Sequence, residues 1–326
     1  ISYQLEWRGR IRARDKKIIP FLRRRRTVES PMTTKVKVGI IGGTGLEDPQ
    51  ILENSRLIDN VDTPYGKISD KMLEGSIQGV PCVILSRHGR QHDINPSNVN
   101  YRANLWALAE QGVTVIIAST ACGSLQENVK PGDLLFPDSV YDRTFGRQIT
   151  FFDGEEGHQP GVCHIPMHPL YHEPLRQILI STAKSLKSSV PDLTIHEEGF
   201  GVCIEGPRFS TRAESRVFRS WGAAIVNMTM IPEGPLAKEL GIPYAPVALI
   251  TDYDCWKDDA EHVSVELVSA TLRANGDKAK RLFIEAIKEI AKKDWTEEVK
   301  TLKSSIRASV MLDPSVKIRH LEAGDQ

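Results

Sequence analysis

The chain has no stretch that could cross a bilayer as a helix: no apolar run approaches the ~20 residues such a helix needs. Cysteine is scarce and shows no pairing pattern. The five thiols (Cys82, Cys122, Cys163, Cys203 and Cys255) form no C-x-x-C motif, so the usual zinc and redox signatures are missing. They read as reduced, mostly buried thiols of a cytosolic protein, with no metal site expected. Net charge is also absent, with 42 basic against 42 acidic residues. That balance hides an asymmetry. Residues 1–31 hold ten Lys and Arg against three acids, leaving 32 basic and 39 acidic residues downstream, a net of −7. A body that acidic is unsuited to nucleic acid.

The basic segment has no initiating Met, and Met32 stands just before the first strand-like run. The preferred reading sets 1–34 aside as an N-terminal extension outside the fold, an upstream translation artefact. The competing reading is a targeting segment, because Arg23-Arg24-Arg25-Arg26 looks like a nuclear signal. No apolar core of signal-peptide length is present, so secretion is not expected and the cytoplasm, with the nucleus as a second compartment, is.

What is there is a repeated pattern of apolar run, turn and helix. Short apolar runs at 36–41, 81–86, 113–118, 199–204, 223–226 and 244–250 predict strands. Helical spacing appears at 98–110, 175–186, 213–219, from Pro232 to near Gly241, and from a Ser264 cap through Ile290. Residues 125–170 read as loops with short strands, and 296–326 as a weaker helix with a polar tail from 313. No repeat or linker interrupts 35–312. The prediction is a single α/β domain with a mixed, mostly parallel central sheet flanked by helices. Each motif of interest follows a strand, which gathers the candidates at one edge of the sheet, where ligands bind in open α/β folds.

Those motifs carry chemistry. Gly42-Gly43-Thr44-Gly45 could cradle phosphate with backbone N–H groups, or be a tight turn only. A dinucleotide fold would want a third glycine at G-x-G-x-x-G, and it is missing. Arg87-His88-Gly89 sets a forked cation beside an imidazole, suited to phosphate oxygens. The same tripeptide resembles the histidine phosphatase signature. Ser119-Thr120-Ala121 and Met228-Thr229 bring hydroxyls to strand ends, and Phe209-Ser210 a ring and a hydroxyl. Asp252 and Asp254, in Thr251-Asp-Tyr-Asp-Cys-Trp256, follow a buried run. Apolar surroundings there would raise a carboxyl's pKa and make Asp252 a candidate general acid. Taken singly, each of these could be a solvated turn or a core residue.

Together and in this order, the set resembles the trimeric purine nucleoside phosphorylases, most closely the eukaryotic branch acting on 5'-methylthioadenosine. The resemblance rests on Gly42-Gly-Thr-Gly45, Arg87-His-Gly-Arg-Gln-His92, Asn100-Tyr-Arg-Ala-Asn104, Thr120-Ala-Cys-Gly-Ser124, Glu205-Gly-Pro-Arg-Phe-Ser210, Asn227-Met-Thr229 and Thr251 to Trp256, and spans about 35–312. It implies a phosphate site at Thr44, Arg87, His88, Thr120, Ala121 and Thr229. It implies a ribose contact at Met228 and a purine site at Phe209, Ser210, Thr251, Asp252 and Asp254. A methylthio pocket would include Val265, Val268 and Ser269, with His164 and Met311 reaching in from a neighbouring subunit of a homotrimer. Phosphate would be a co-substrate, and no metal or organic cofactor is implied. Two positions depart from the family pattern: Met230 stands where a threonine is usual, and Ser269 where a leucine is. The open alternatives are a broader 6-oxopurine phosphorylase, a histidine phosphatase built on His88, and a nucleoside-binding protein without turnover.

Overall fold

The apolar runs become strands because the sheet is covered on both faces. The computed structural model describes residues 36–42, 51–59, 61–190, 192–259 and 263–321. The extension 1–34 and Thr44 therefore lie outside the described residues. Along the chain come β1 (Val38–Gly42), β2 (Glu53–Ile58), β3 (Met72–Ile77), β4 (Val80–Ser86), α1 (Tyr101–Glu110) and β5 (Val115–Ser124). Then follow β6 (Leu134–Leu135), β7 (Ser139–Arg143), β8 (Val162–Cys163), α2 (Glu173–Leu186), β9 (Ile195–His196), β10 (Phe200–Ile204) and α3 (Arg212–Ser220). The last are β11 (Ile225–Asn227), α4 (Met230–Glu239), β12 (Tyr244–Asp252), α5 (Val265–Lys292), α6 (Thr296–Ser309) and β13 (Val310–Met311).

β1 pairs in parallel with β4 on one side and β5 on the other. Beyond β4 the sheet continues antiparallel through β3 to β2. Gln78 and Gly79, both at positive φ, make the tight turn between β3 and β4. On its far side β5 changes partner. Ile116 to Gly123 run parallel with β12, while Gly123 and Ser124 pair antiparallel with β11. The sheet thus forks at Gly123. One branch continues through β11 and β10 to β7, the other through β12 and β6 to β9.

Alternation along the buried strands serves two cores. In β12, Tyr244, Ala248 and Ile250 join the cluster holding Trp106 of α1 and Leu236 of α4. Ala245, Val247 and Leu249 face the cluster of Leu179 from α2 and Phe283 from α5. Burial on both faces explains why β12 reads as a continuous apolar run.

Three features differ from the sequence expectation. β5 does not end at 118 but runs to Ser124, so Ser119, Thr120 and Ala121 sit within a strand and not on a turn. Two partner strands satisfy its backbone there, which lets polar residues stay extended. The pair β2 and β3 has no counterpart in the reading, because β2 is exposed along most of its length and lacks an apolar alternation. The stretch after 312 also packs: Ile318 is 1% exposed in the core, and Gln159 exchanges two hydrogen bonds with the Arg319 backbone. Among the described residues no helix is long and apolar enough to cross a membrane.

Candidate active site

A cavity of about 550 Å³ opens where the sheet forks. Arg87 and His88 enter it directly after β4. Thr120, Ala121 and Gly123 line it from β5, Met228 and Thr229 from the turn after β11, and Thr251, Asp252 and Asp254 from the end of β12. Phe209 and Ser210 approach from ahead of α3, and Val265, Val268 and Ser269 from the first turns of α5. The sequence-predicted residues of this chain's own pocket, Thr44 aside, therefore meet in one place. His164 and Met311 do not line it. They lie instead along a ribbon in which β13 pairs with β8, Met311 opposite Val162, and His164 N donates to Ser309 O at 2.9 Å. Met311 there is 70% exposed.

At one end of the cavity Arg87 is buried, and its donors are largely committed. Nε and Nη2 donate to the two oxygens of Glu233, the second at 2.9 Å, and Nη1 donates to Ser119 O at 3.0 Å. Glu233, itself 1% exposed, also accepts from Tyr244 Oη at 2.8 Å. Burial alone opposes the guanidinium charge, but the Glu233 carboxylate outweighs it and raises the pKa further. Thr120 and Thr229 bring their hydroxyls within 3.0 Å of each other. Asn227 holds that turn: its Oδ1 accepts from Thr229 N at 3.1 Å and Met230 N at 3.0 Å.

His88 also lines the cavity. Its Nδ1 lies 2.8 Å from Ile94 O. Burial first, then the charge of Arg87, pushes its pKa down to about 4. The ring is neutral at physiological pH. A carbonyl can only accept, so the hydrogen sits on Nδ1 and Nε2 is an acceptor.

At the other end Asp252 and Asp254 are each 4% exposed. Burial raises the Asp252 pKa, and two hydrogen bonds restrain the rise: Thr251 Oγ1 donates to Oδ2 at 2.6 Å and Asp254 N to Oδ1 at 2.7 Å. Burial raises Asp254 too; the Ser215 side chain lowers it and Asp252 adds to the rise. Ser210 Oγ and Asp254 Oδ2 are buried without a well-formed hydrogen bond among the described residues. Buried polar atoms left so in a cavity wall suit a polar ligand. The Trp256 indole donates to Ser124 O at 2.8 Å and pins the loop that carries both aspartates. Gly123 fits closely at the fork, since an added Cβ would sit 3.0 Å from Asp252 Oδ1 and 3.2 Å from Val226 Cγ1. Ser269 is the hydroxyl in a wall otherwise made by Val265, Val268 and Leu272.

Sequence reasoning missed Glu233, Tyr244 and the stretch His92 to Pro96, which also lines the cavity. The one signal for Glu233 was indirect, because a buried arginine demands a carboxylate. Nothing in the sequence said which of many acids it would be.

Residues 37–288 match the family model of the phosphorylase superfamily. The chain is 63% identical to the S-methyl-5'-thioadenosine phosphorylase of Caenorhabditis elegans, over 89% of this chain and 99% of that one. The chain belongs to the S-methyl-5'-thioadenosine phosphorylase family. The Xenopus tropicalis member is 53% identical over 85% of this chain and 97% of its own length. Among solved structures, a methylthioadenosine phosphorylase from Schistosoma mansoni in complex with adenine superposes at a TM-score of 0.81. It is 43% identical, covering 85% of this chain and 99% of that one. A single-site mutant of the adenosine/methylthioadenosine phosphorylase from the same organism, in complex with methylthioadenosine, gives 0.79. Membership in this family displaces the histidine phosphatase reading of Arg87-His88-Gly89.

Proposed function

We propose that the protein catalyses the reversible phosphorolysis of S-methyl-5'-thioadenosine to adenine and 5-methylthioribose 1-phosphate, a step that serves purine and methionine salvage. The observation that supports the site assignment is that Arg87, Thr120 and Thr229 line one cavity together with the buried, raised carboxyl of Asp252.

Cleaving the N-glycosidic bond leaves oxocarbenium character on the ribose, as in glycoside hydrolysis. Phosphate attacks the anomeric carbon from the opposite face. Arg87, Thr120, Thr229 and the backbone at Ala121 hold it close, with Thr44 completing the set. The ribose rests on Met228. The leaving purine gathers negative charge on its imidazole ring, and a protonated Asp252 donates to N7 as the bond breaks. Phe209 lies against the base, while Thr251, Ser210 and Asp254 surround the carboxyl end. The Asp252 and Asp254 oxygens accept from the 6-amino group of adenine. Those contacts favour a 6-aminopurine over a 6-oxopurine. No metal or organic cofactor enters these steps.

Val265 and Val268 offer apolar surface to the 5'-methylthio group. The Ser269 hydroxyl in that wall extends the range to adenosine, whose 5'-OH needs a polar partner. His164 and Met311 serve a neighbouring copy's cavity in a homotrimer. Their exposure on one ribbon, outside their own cavity, supports that assignment. The cytoplasm, with the nucleus beside it, is the expected compartment. A substrate panel tests the reading. Methylthioadenosine, adenosine and inosine are each supplied with phosphate, and the sugar 1-phosphate is followed by phosphorus NMR. Methylthioadenosine is expected to lead and adenosine to follow. Inosine in first place would overturn the assignment.

A further inference from the structure

Arg87 is held through β1, β5, α4 and β12 at once. Its backbone N donates to Gly42 O at 3.0 Å, which ties it to the end of β1. Nη1 donates to Ser119 O of β5 at 3.0 Å. Nε and Nη2 donate side-on to the two oxygens of Glu233, which lies in the first turn of α4. Tyr244, the first residue of β12, donates its hydroxyl to Glu233 Oε2 at 2.8 Å. All three side chains are buried, and neither Glu233 nor Tyr244 is among the residues that line the cavity. A guanidinium has five N–H groups. Three are spent in these bonds, which leaves one on Nη1 and one on Nη2 for a ligand. The helix that carries Glu233 is preceded by Thr229, whose hydroxyl lies 3.0 Å from that of Thr120. The ion pair therefore fixes Arg87 relative to both threonines. A buried pair adds little net stability, because desolvation offsets the attraction. What a side-on carboxylate supplies is direction, since both bonds lie in the guanidinium plane.

We propose that Glu233 is a positioning residue for phosphate: it holds the Arg87 plane so that the two remaining N–H groups meet the anion, and the Tyr244 hydroxyl fixes Glu233 in turn. The inference rests on the phosphorolysis reading above. Glu233 touches no substrate and acts through Arg87. Pairing also cancels the charge of the arginine, so Arg87 holds the anion by directed N–H bonds more than by net charge. Positioning and charge balance then have opposite consequences. If the carboxylate only balanced charge, removing it would strengthen phosphate binding. If it positions the guanidinium, removing it weakens that binding.

The test follows adenine release from methylthioadenosine while phosphate and nucleoside are varied in turn. It is run on the wild-type protein, on Glu233→Gln and on Tyr244→Phe. Gln keeps the size of Glu233 but accepts from Arg87 through one oxygen only. Its KM for phosphate is expected to rise about tenfold or more, because a hydrogen bond to a charged group is lost. Tyr244→Phe removes one hydroxyl and no charge, and its KM for phosphate is expected to rise about threefold or more. In both variants the KM for methylthioadenosine is expected to stay within about twofold of the wild type. Equal rises in the two constants would mean a general loosening of the site and would overturn the inference. A phosphate KM that stays the same or falls in Glu233→Gln would also overturn it, the fall pointing to charge balance alone. Should Glu233→Gln not fold, Tyr244→Phe decides by the same split. Wild-type protein that releases no adenine with phosphate would instead remove the phosphorolysis reading, and this inference with it.

Discussion

In the proposed mechanism Asp252 is the general acid, and its surroundings suit that role. Burial raises the carboxyl pKa above the usual aspartate value, and the Thr251 hydroxyl and Asp254 N–H restrain the rise. Replacing it by Asn keeps the shape and removes the acid. Asp252→Asn is expected to lower kcat about 10²–10⁴-fold, the usual worth of a positioned acid. Preference should also move toward inosine, because the amide can donate to a 6-oxo group. Unchanged adenine release from the variant would take Asp252 out of the acid role. Ser269, in the proposed 5'-group wall, bears on range more than on rate. Ser269→Leu completes an apolar wall with Val265, Val268 and Leu272. Selectivity for methylthioadenosine over adenosine, read as a ratio of kcat/KM, is expected to rise by about tenfold or more. An unaltered ratio would place Ser269 outside the contact with the 5' group.

At the scale of elements, the fork of the sheet makes the site. β5 trades β12 for β11 at Gly123, and the wedge between the branches holds Asp252 on one side and Val226 on the other. Gly123→Ala would press on both and shift Asp252 by a few tenths of an ångström. Activity should then fall by about tenfold or more, since small misplacements at the reacting centre are costly. The melting temperature should move little. A loss of folding in step with activity would mean that the fork tolerates no adjustment and that the effect is structural. The parts of these elements that sequence reasoning could read are those where one residue type has one use. The run 244–250 followed by acids pointed to a buried strand ending in a carboxyl, and β12 ends at Asp252. The polar end of β5 was not readable, because Ser119 to Ser124 look like a turn until two partner strands hold them extended. Nor was β2 readable, being exposed. Glu233 resembles any helical acid until the fold brings it to Arg87. The tautomer of His88 depends on a carbonyl six residues on, which no side-chain pattern reveals.

Across the whole molecule, the buried titratable groups set how stability follows pH. Glu239 is the clearest case. It is 5% exposed and accepts from Thr150 Oγ1 and Phe151 N, each at 2.8 Å, yet burial lifts its pKa from 4.5 to about 7. A carboxyl raised in the folded state contributes stability that is whole below its unfolded pKa and is lost as pH rises through its folded one. The shift corresponds to about 3 kcal/mol. His88 and His172, both lowered to about 4 by burial, act in the opposite sense, gaining stability as pH rises toward the ordinary histidine value. The informative quantity is therefore the difference between the wild type and Glu239→Gln. Chemical denaturation should show the wild type losing about 3 kcal/mol relative to the variant between about pH 4 and pH 8. Parallel curves would mean that Glu239 ionises normally in the folded protein.

The central claim is that the cavity joins phosphate to a thionucleoside, and one measurement addresses it directly. The purified protein is incubated with methylthioadenosine, with and without inorganic phosphate, and adenine is followed by its absorbance. Release that requires phosphate and saturates with it is the predicted result. Release at the same rate without phosphate would make water the nucleophile and would contradict the roles given to Arg87, His88, Thr120 and Thr229.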